Sequence, residues 1–248
     1  MNWSEILIRC SSIGNLMTEP KEKAAKDAGE LSKTAKSHLK KVYAREKYGR
    51  EQDIVTKQMK KGIEVEEESI TLLSRVVKKM LYKNEERLNN SYITGLPDIY
   101  EGESIHNAET ITDIKSSYDL FTFLPNIGET LDRDYYYQLQ GYMALSGAKN
   151  ACIAYCLVDT PQHIIDSEKY KLFKAMDVIS EESPEFIREA LKIEKNMTFN
   201  DIPKEERVLI FPVERDEEAI NKIYEKVIKA REFLAEFELS HLNFNNKS

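Results

Sequence analysis

Asp113 and Lys115 stand two residues apart in ETITDIKS, residues 109–116, a run whose Thr and Ile content reads as a β-strand. Period-two geometry puts the carboxylate and the ammonium on one face and turns Ile114 the other way, into a core. A strand of this kind needs a partner. The preceding strand-like segment, Ser91–Tyr100, supplies one, and the connecting EGESIHN has hairpin character. Within that partner Asp98 follows Gly95, Leu96 and Pro97. A proline removes one ladder donor, so this strand is expected to bend or to lie at an edge there. Paired in this way, Asp98 and Asp113 converge on one cation.

The rest of the chain reads as helices around that hairpin. A short helix or loop–helix is expected over residues 3–17, with Ile6, Ile13, Leu16 and Met17 as its apolar positions. Residues 21–53 read as a charged helical arm on which Leu31, Ala35, Leu39, Val42 and Tyr43 recur near helical spacing, with Gly49 as a break. A second helix is expected from about Ile54 to Leu81, its buried stripe marked by Ile63, Ile70, Leu73, Val77 and Leu81. Residues 117–131 look like a loop. A helix follows from about Asp132 to Ser146, ended by Gly147. Ala151–Val158 is a continuous apolar run, expected to be a buried strand, and Arg207–Val213 is another strand. Glu217–Leu239 is a long amphipathic helix. The order predicts an α/β layered protein with a mixed central sheet flanked by helices, a single domain over 1–248 with the basic arm at about 21–53.

Net charge is −7, but it is unevenly spread. From Lys21 to Lys61 thirteen Lys and Arg stand against six Asp and Glu, a local +7, which leaves −14 on the remainder. A basic arm on an acidic body suits a polyanion partner. Lys33, Lys36, Lys40 and Lys41 lie near helical spacing and are candidate contacts to a DNA backbone. Arg9, Ser11 and Ser12 are candidates to cap a phosphate. No apolar run is long enough for a membrane span, and the N-terminus does not read as a secretion signal, so a cytoplasmic location is expected. Cys10, Cys152 and Cys156 are too few for a four-ligand zinc or iron–sulfur site and read as small buried hydrophobes.

Two carboxylates and a lysine on adjacent strands form a minimal kit for phosphodiester hydrolysis. Magnesium takes hard oxygen ligands and keeps several waters, so one or two carboxylates suffice. The metal orients and deprotonates a water and offsets charge on the scissile phosphate, and a lysine adds a positive point charge. Two other segments point the same way. Glu66 lies four residues after Gly62 and is expected to face the sheet, unlike Glu64 and Glu68. In DYYYQLQGYM, Tyr135, Gln138 and Tyr142 fall on one helical face and Gln140 is turned away.

The G-x-x-x-E at Gly62–Glu66, the Pro97-Asp98 pair, the D-I-K at Asp113–Lys115 and the Y-x-x-Q-x-Q at Tyr135–Gln140, in that order, resemble the YqaJ-type viral recombinases of the PD-(D/E)xK superfamily, the lambda-exonuclease-like group. The resemblance covers roughly residues 9–160 plus a C-terminal strand and helix. It implies a restriction-endonuclease-like core and a metal-dependent exonuclease resecting linear double-stranded DNA 5′ to 3′ for phage-type recombination. It further implies Mg²⁺, with Mn²⁺ as a substitute, a trimeric assembly and a single-strand annealing protein as partner. Glu66, Asp98, Asp113 and the backbone carbonyl of Ile114 would be metal ligands. Lys115 would be catalytic, Tyr135 and Gln138 would line the site, and Ser11 would approach a terminal phosphate. The chain departs from the group at Leu96, where a phosphate-binding Ser is expected, and its basic arm looks like an insertion. The alternatives are a PD-(D/E)xK endonuclease or resolvase, and a non-catalytic DNA-binding protein with a degenerate site.

Overall fold

A computed structural model describes residues 1–52 and 56–245. The chain opens with a two-residue strand β1 (Ile8–Arg9) and short helices α1 (Ile13–Leu16) and α2 (Lys23–Asp27). Helix α3 (Lys33–Tyr48) starts where the Ser32 hydroxyl accepts the Ala35 N–H and ends at Gly49, whose φ of 59° few other residues adopt. Helices α4 (Lys57–Glu64) and α5 (Glu66–Val77) follow. Strands β2 (Leu88–Asn89), β3 (Ile93–Gly95), β4 (Ile99–Gly102) and β5 (Ala108–Ser116) come next, then the short α6 (Leu120–Phe123). Helix α7 (Arg133–Ser146) is capped by Asp132 and closed by Gly147. Strand β6 (Asn150–Cys156), helices α8 (Gln162–Met176) and α9 (Pro184–Met197), strand β7 (Val208–Glu214) and helix α10 (Glu217–Asn245) complete the chain.

The larger sheet has the order β4-β5-β6-β7 and is mixed, with β5 and β6 parallel and the outer pairs antiparallel. Its two faces are covered by different helices. Ile111 and Ile153 pack with Leu139 and Met143 of α7. Ile114, Ala154 and Cys156 pack with Ile70, Leu72 and Leu73 of α5. Since side chains alternate along β5, Asp113 and Lys115 share the α7 side with Ile111. A smaller sheet, β1-β3-β2, lies beside it.

Several sequence expectations change. Ser91–Tyr100 is not one strand: β3 belongs to the small sheet and β4 to the large one, with Leu96, Pro97 and Asp98 between them. Proline cannot donate at the crossing, and the buried Asn84 takes up the freed acceptors. Its amide donates to Pro97 O at 2.9 Å, and its N–H to Asp98 O at 2.7 Å. The expected helix from Ile54 to Leu81, whose first residues lie outside the described ones, is two helices. Buried Val65 leaves helical dihedrals (φ −107°, ψ 16°), and this resets the register. Ile70 and Leu73 then face the core while Ile63 and Val77 are exposed. The segment 21–53, whose last residue lies outside the described ones, packs its apolar positions on the C-terminal helix. Leu31, Ala35, Leu39, Val42 and Tyr43 are buried against Ile223, Val227, Ala230 and Leu234 of α10. Residues 117–131 are not all loop, because α6 buries Phe123 beside Leu157 and Phe199. Residues 3–17 hold β1 as well as α1.

Candidate active site

One cleft of about 1030 Å³ gathers residues from both sheets and from α4, α5, α6 and α7. Strand β5 contributes Asp113 and Lys115, the sheet-to-sheet crossing Asp98, the start of α5 Glu66, and α7 Tyr135, Gln138 and Tyr142. Asp98 Oδ2 accepts the Ile114 N–H at 2.6 Å, which ties the carboxylate to the strand that bears Asp113. Gln138 Nε2 donates to Asp113 Oδ1 at 2.9 Å and to the Tyr142 hydroxyl at 3.0 Å, spending both amide hydrogens. Lys115 Nζ stands 2.6 Å from Asp113 Oδ2 and 4.6 Å from the centre of the Tyr135 ring. Asp113 Oδ2 is thus buried with the ammonium as its ion-pair neighbour.

The electrostatics follow from burial. Desolvation and the nearby charge of Asp113 push Asp98 up to about 7, against the Ile114 N–H that favours its anion. Asp113 is also raised by desolvation, and Lys115 opposes the rise. Burial disfavours the charge on Lys115, but Asp113 outweighs it and holds the ammonium above its ordinary range. Two neighbouring carboxylates pushed toward their protonated forms supply the hard oxygen donors of a divalent cation held by one or two carboxylates and waters. Among the described residues no three His, Cys, Asp or Glu side chains lie close enough to close on one ion. Glu66 lines the cleft, but its carboxylate pairs with Lys83 at 3.0 Å. Glu64 and Glu68 are exposed.

The other sequence candidates are distributed unevenly. Arg9 and Ser11 line the cleft, while Ser12 faces a neighbouring hollow and donates to Arg9 O at 3.0 Å. Lys40 and Lys41 line that hollow, but Lys33 and Lys36 do not, and Lys36 pairs with Glu30 at 3.4 Å. Lys40 also lies over the Phe237 ring of α10. Only two of the four lysines thus line the hollow. Leu96 lines the cleft where a serine would be expected. Sequence reasoning passed over Arg87, Thr94 and Tyr118, which also line the cleft. Arg87 follows Glu85 and Glu86 before a turn and carries no pattern that singles it out. Lys61 was counted only as part of the basic run. It is fully buried, donates to Tyr118 O at 2.8 Å and sits over the Phe199 ring.

No protein-family model matches the sequence, and no curated protein does. Among solved structures the chain is similar to a phage-related exonuclease from Haemophilus somnus 129PT. The two are 29% identical with a TM-score of 0.71, over 96% of this chain and 97% of that one. It is also similar in fold to the alkaline exonuclease LHK-Exo from Laribacter hongkongensis, at 14% identity and a TM-score of 0.60, over 99% of this chain and 96% of that one. A structure of LHK-Exo in complex with dAMP gives 16% identity and a TM-score of 0.57, over 97% of this chain and 92% of that one.

Proposed function

We propose that the chain is a lambda-exonuclease-like, YqaJ-type member of the PD-(D/E)xK superfamily and acts as a metal-dependent deoxyribonuclease that resects linear duplex DNA from 5′ ends. The observation that carries this reading is the buried, facing pair Asp98 and Asp113 with Lys115 beside them in an open cleft. Asp98, Asp113, the Ile114 carbonyl and Glu66, once released from Lys83, would hold Mg²⁺, with Mn²⁺ as a substitute. Such a cation activates a water and offsets phosphate charge. The protein's own groups do the rest. Gln138 fixes the Asp113 carboxylate by its hydrogen bond. The Lys115 ammonium, held charged by Asp113, orients the attacking water and faces the developing charge of the phosphate. Arg9, Ser11 and Arg87 flank the cleft as donors to the strand. The similarity to a phage-related exonuclease at near-complete coverage of both chains supports action at DNA ends.

The test is digestion of end-labelled linear and closed circular duplexes with Mg²⁺, then with EDTA. Release of label from linear DNA alone, progressing 5′ to 3′ and lost in EDTA, is expected. Cleavage of circles would favour an endonuclease, and no cleavage of either would remove the enzyme reading. Asp113→Ala and Lys115→Ala should each abolish cleavage while circular dichroism stays native.

A further inference from the structure

A second hollow, of about 700 Å³, opens beside the cleft and shares Arg9 and Ser11 with it. Its other walls include Lys40, Lys41, Arg45 and Arg50. Five cations thus gather at one hollow, and among the described residues its lining contains a single carboxylate, Glu51. That carboxylate does not neutralise the group evenly. Glu51 Oε1 is 2.9 Å from Arg9 Nη1 and 4.0 Å from Arg45 Nη1, bridging the strand-borne and helix-borne guanidiniums. Arg45 is held in place from behind by Glu46, whose Oε1 receives its Nε at 2.7 Å. Lys41 and Arg50 have no acidic partner among the described residues. The ring nitrogen Nε2 of His38 is buried at this wall without a hydrogen-bond partner.

A carboxylate paired with one guanidinium and 4.0 Å from a second stands where a phosphate oxygen would find both. The Glu51 side chain is 54% exposed, so leaving costs it little desolvation or packing. We propose that this hollow is a second phosphate site, taking a backbone phosphate of the nucleic-acid strand that runs out of the cleft past Arg9 and Ser11. Glu51 occupies it in the free protein and is displaced on binding. Arg45 and Arg50 are then binding residues beyond those identified from sequence, and Glu51 is a competitor built into the site. The inference rests on the nuclease reading above and extends the path of its substrate.

The experiment is equilibrium binding of a fluorescent duplex in EDTA at several salt concentrations. It compares the full chain with Glu51→Gln, Arg50→Gln and a charge control, Glu205→Gln, whose residue lies in neither lining. Cleavage by the unaltered chain with Mg²⁺ is measured in parallel. Removing the competing charge should tighten binding about two- to fivefold, the range of an exposed ion pair, and more than the control does. Arg50→Gln should weaken binding and flatten the log–log salt slope by about 0.9, one phosphate's share. A chain that cleaves DNA while Glu51→Gln matches Glu205→Gln, or while Arg50→Gln keeps the full slope, overturns the second site alone. A chain that neither binds nor cleaves DNA overturns the nuclease reading and the site together.

Discussion

Lys61 is a fully buried ammonium in the wall of the cleft, and its replacement by methionine gives a sharp test of how that wall is built. Its helix α4 lines the cleft through Gln58, Met59, Gly62 and Ile63, and its hydrogen-bond acceptor is the carbonyl of Tyr118, itself a lining residue. Desolvation lowers its pKa from 10.5 to about 8, against the charges of Asp119 and Asp159. The unfolded chain therefore binds more protons than the folded one between those values, and the folded state gains stability as pH rises through that window. Below about pH 8 both states carry the proton, and burial of the charge costs the fold roughly 3 kcal/mol. From pH 7 to 9.5 this group alone should return roughly 2 kcal/mol. Lys61→Met keeps the length and the contact with Phe199 but has no proton to lose. Urea denaturation of both proteins at half-unit steps from pH 7 to 9.5 isolates the effect as the difference between them, since all other titrations are shared. The difference should move in favour of the unaltered chain by roughly 2 kcal/mol as pH rises. Parallel curves would show that Lys61 titrates as in the unfolded chain, and the buried-charge reasoning would be wrong.

Three further outcomes follow from the site. Asp98→Asn should end cleavage yet raise the stability of the metal-free protein by about 1 kcal/mol. A carboxyl pushed up to about 7 costs the fold progressively as pH rises from the ordinary range through 7, so melting in EDTA should show a larger gain at pH 8 than at pH 5. Gln138→Leu removes the donor to Asp113 Oδ1 and should weaken Mn²⁺ binding by about 10- to 100-fold, read by calorimetry independently of turnover. Unchanged affinity would mean that Gln138 does not position that carboxylate. Gly95→Ala would place a Cβ 2.7 Å from Tyr142 Cε1 and 2.9 Å from Cys10 Sγ, and should cost about 1–3 kcal/mol in urea unfolding. A neutral result would mean that α7 can retreat from β3.

What the sequence made legible was what period alone determines. Asp113 and Lys115 share a strand face, Gln138 and Tyr142 share a helix face, and Asp132 and Gly147 bracket the helix that carries them. The failures lie where tertiary packing overrides local pattern. Val65 sits inside a helical pattern, and only its burial in the α5 core reveals why the helix breaks there. Ser91–Tyr100 has continuous strand character, and the split between two sheets depends on Asn84, remote in pattern, supplying the missing donors. Helices α8 and α9 carry no clear signal in the sequence, although Phe173 and Phe186 join them edge to face at 5.5 Å. Few of their apolar residues are buried, and these pack mainly between the two helices, Ile164 and Ile165 with Met197. Arg45 and Arg50 were legible as charge but not as a grouping, which needs β1 to bring Arg9 beside them.

The two glutamines of the YYYQLQ run lie on different helical faces, and their surroundings make them chemically unlike. Gln140 is fully buried, its Nε2 donating to Glu214 O at 2.8 Å and its Oε1 accepting the Asp216 N–H at 2.9 Å. A backbone carbonyl can only accept and a backbone N–H can only donate, so the amide is held in one of its two orientations. It thereby distinguishes chain direction at the exit from β7, much as a keyed plug admits one polarity. Glutamate at this position would face the Glu214 carbonyl with an acceptor, and lysine would face the Asp216 N–H with a donor. Neither half of the pairing tolerates the other's charge. Position 140 is therefore restricted to a side-chain amide of this length for reasons unrelated to any substrate.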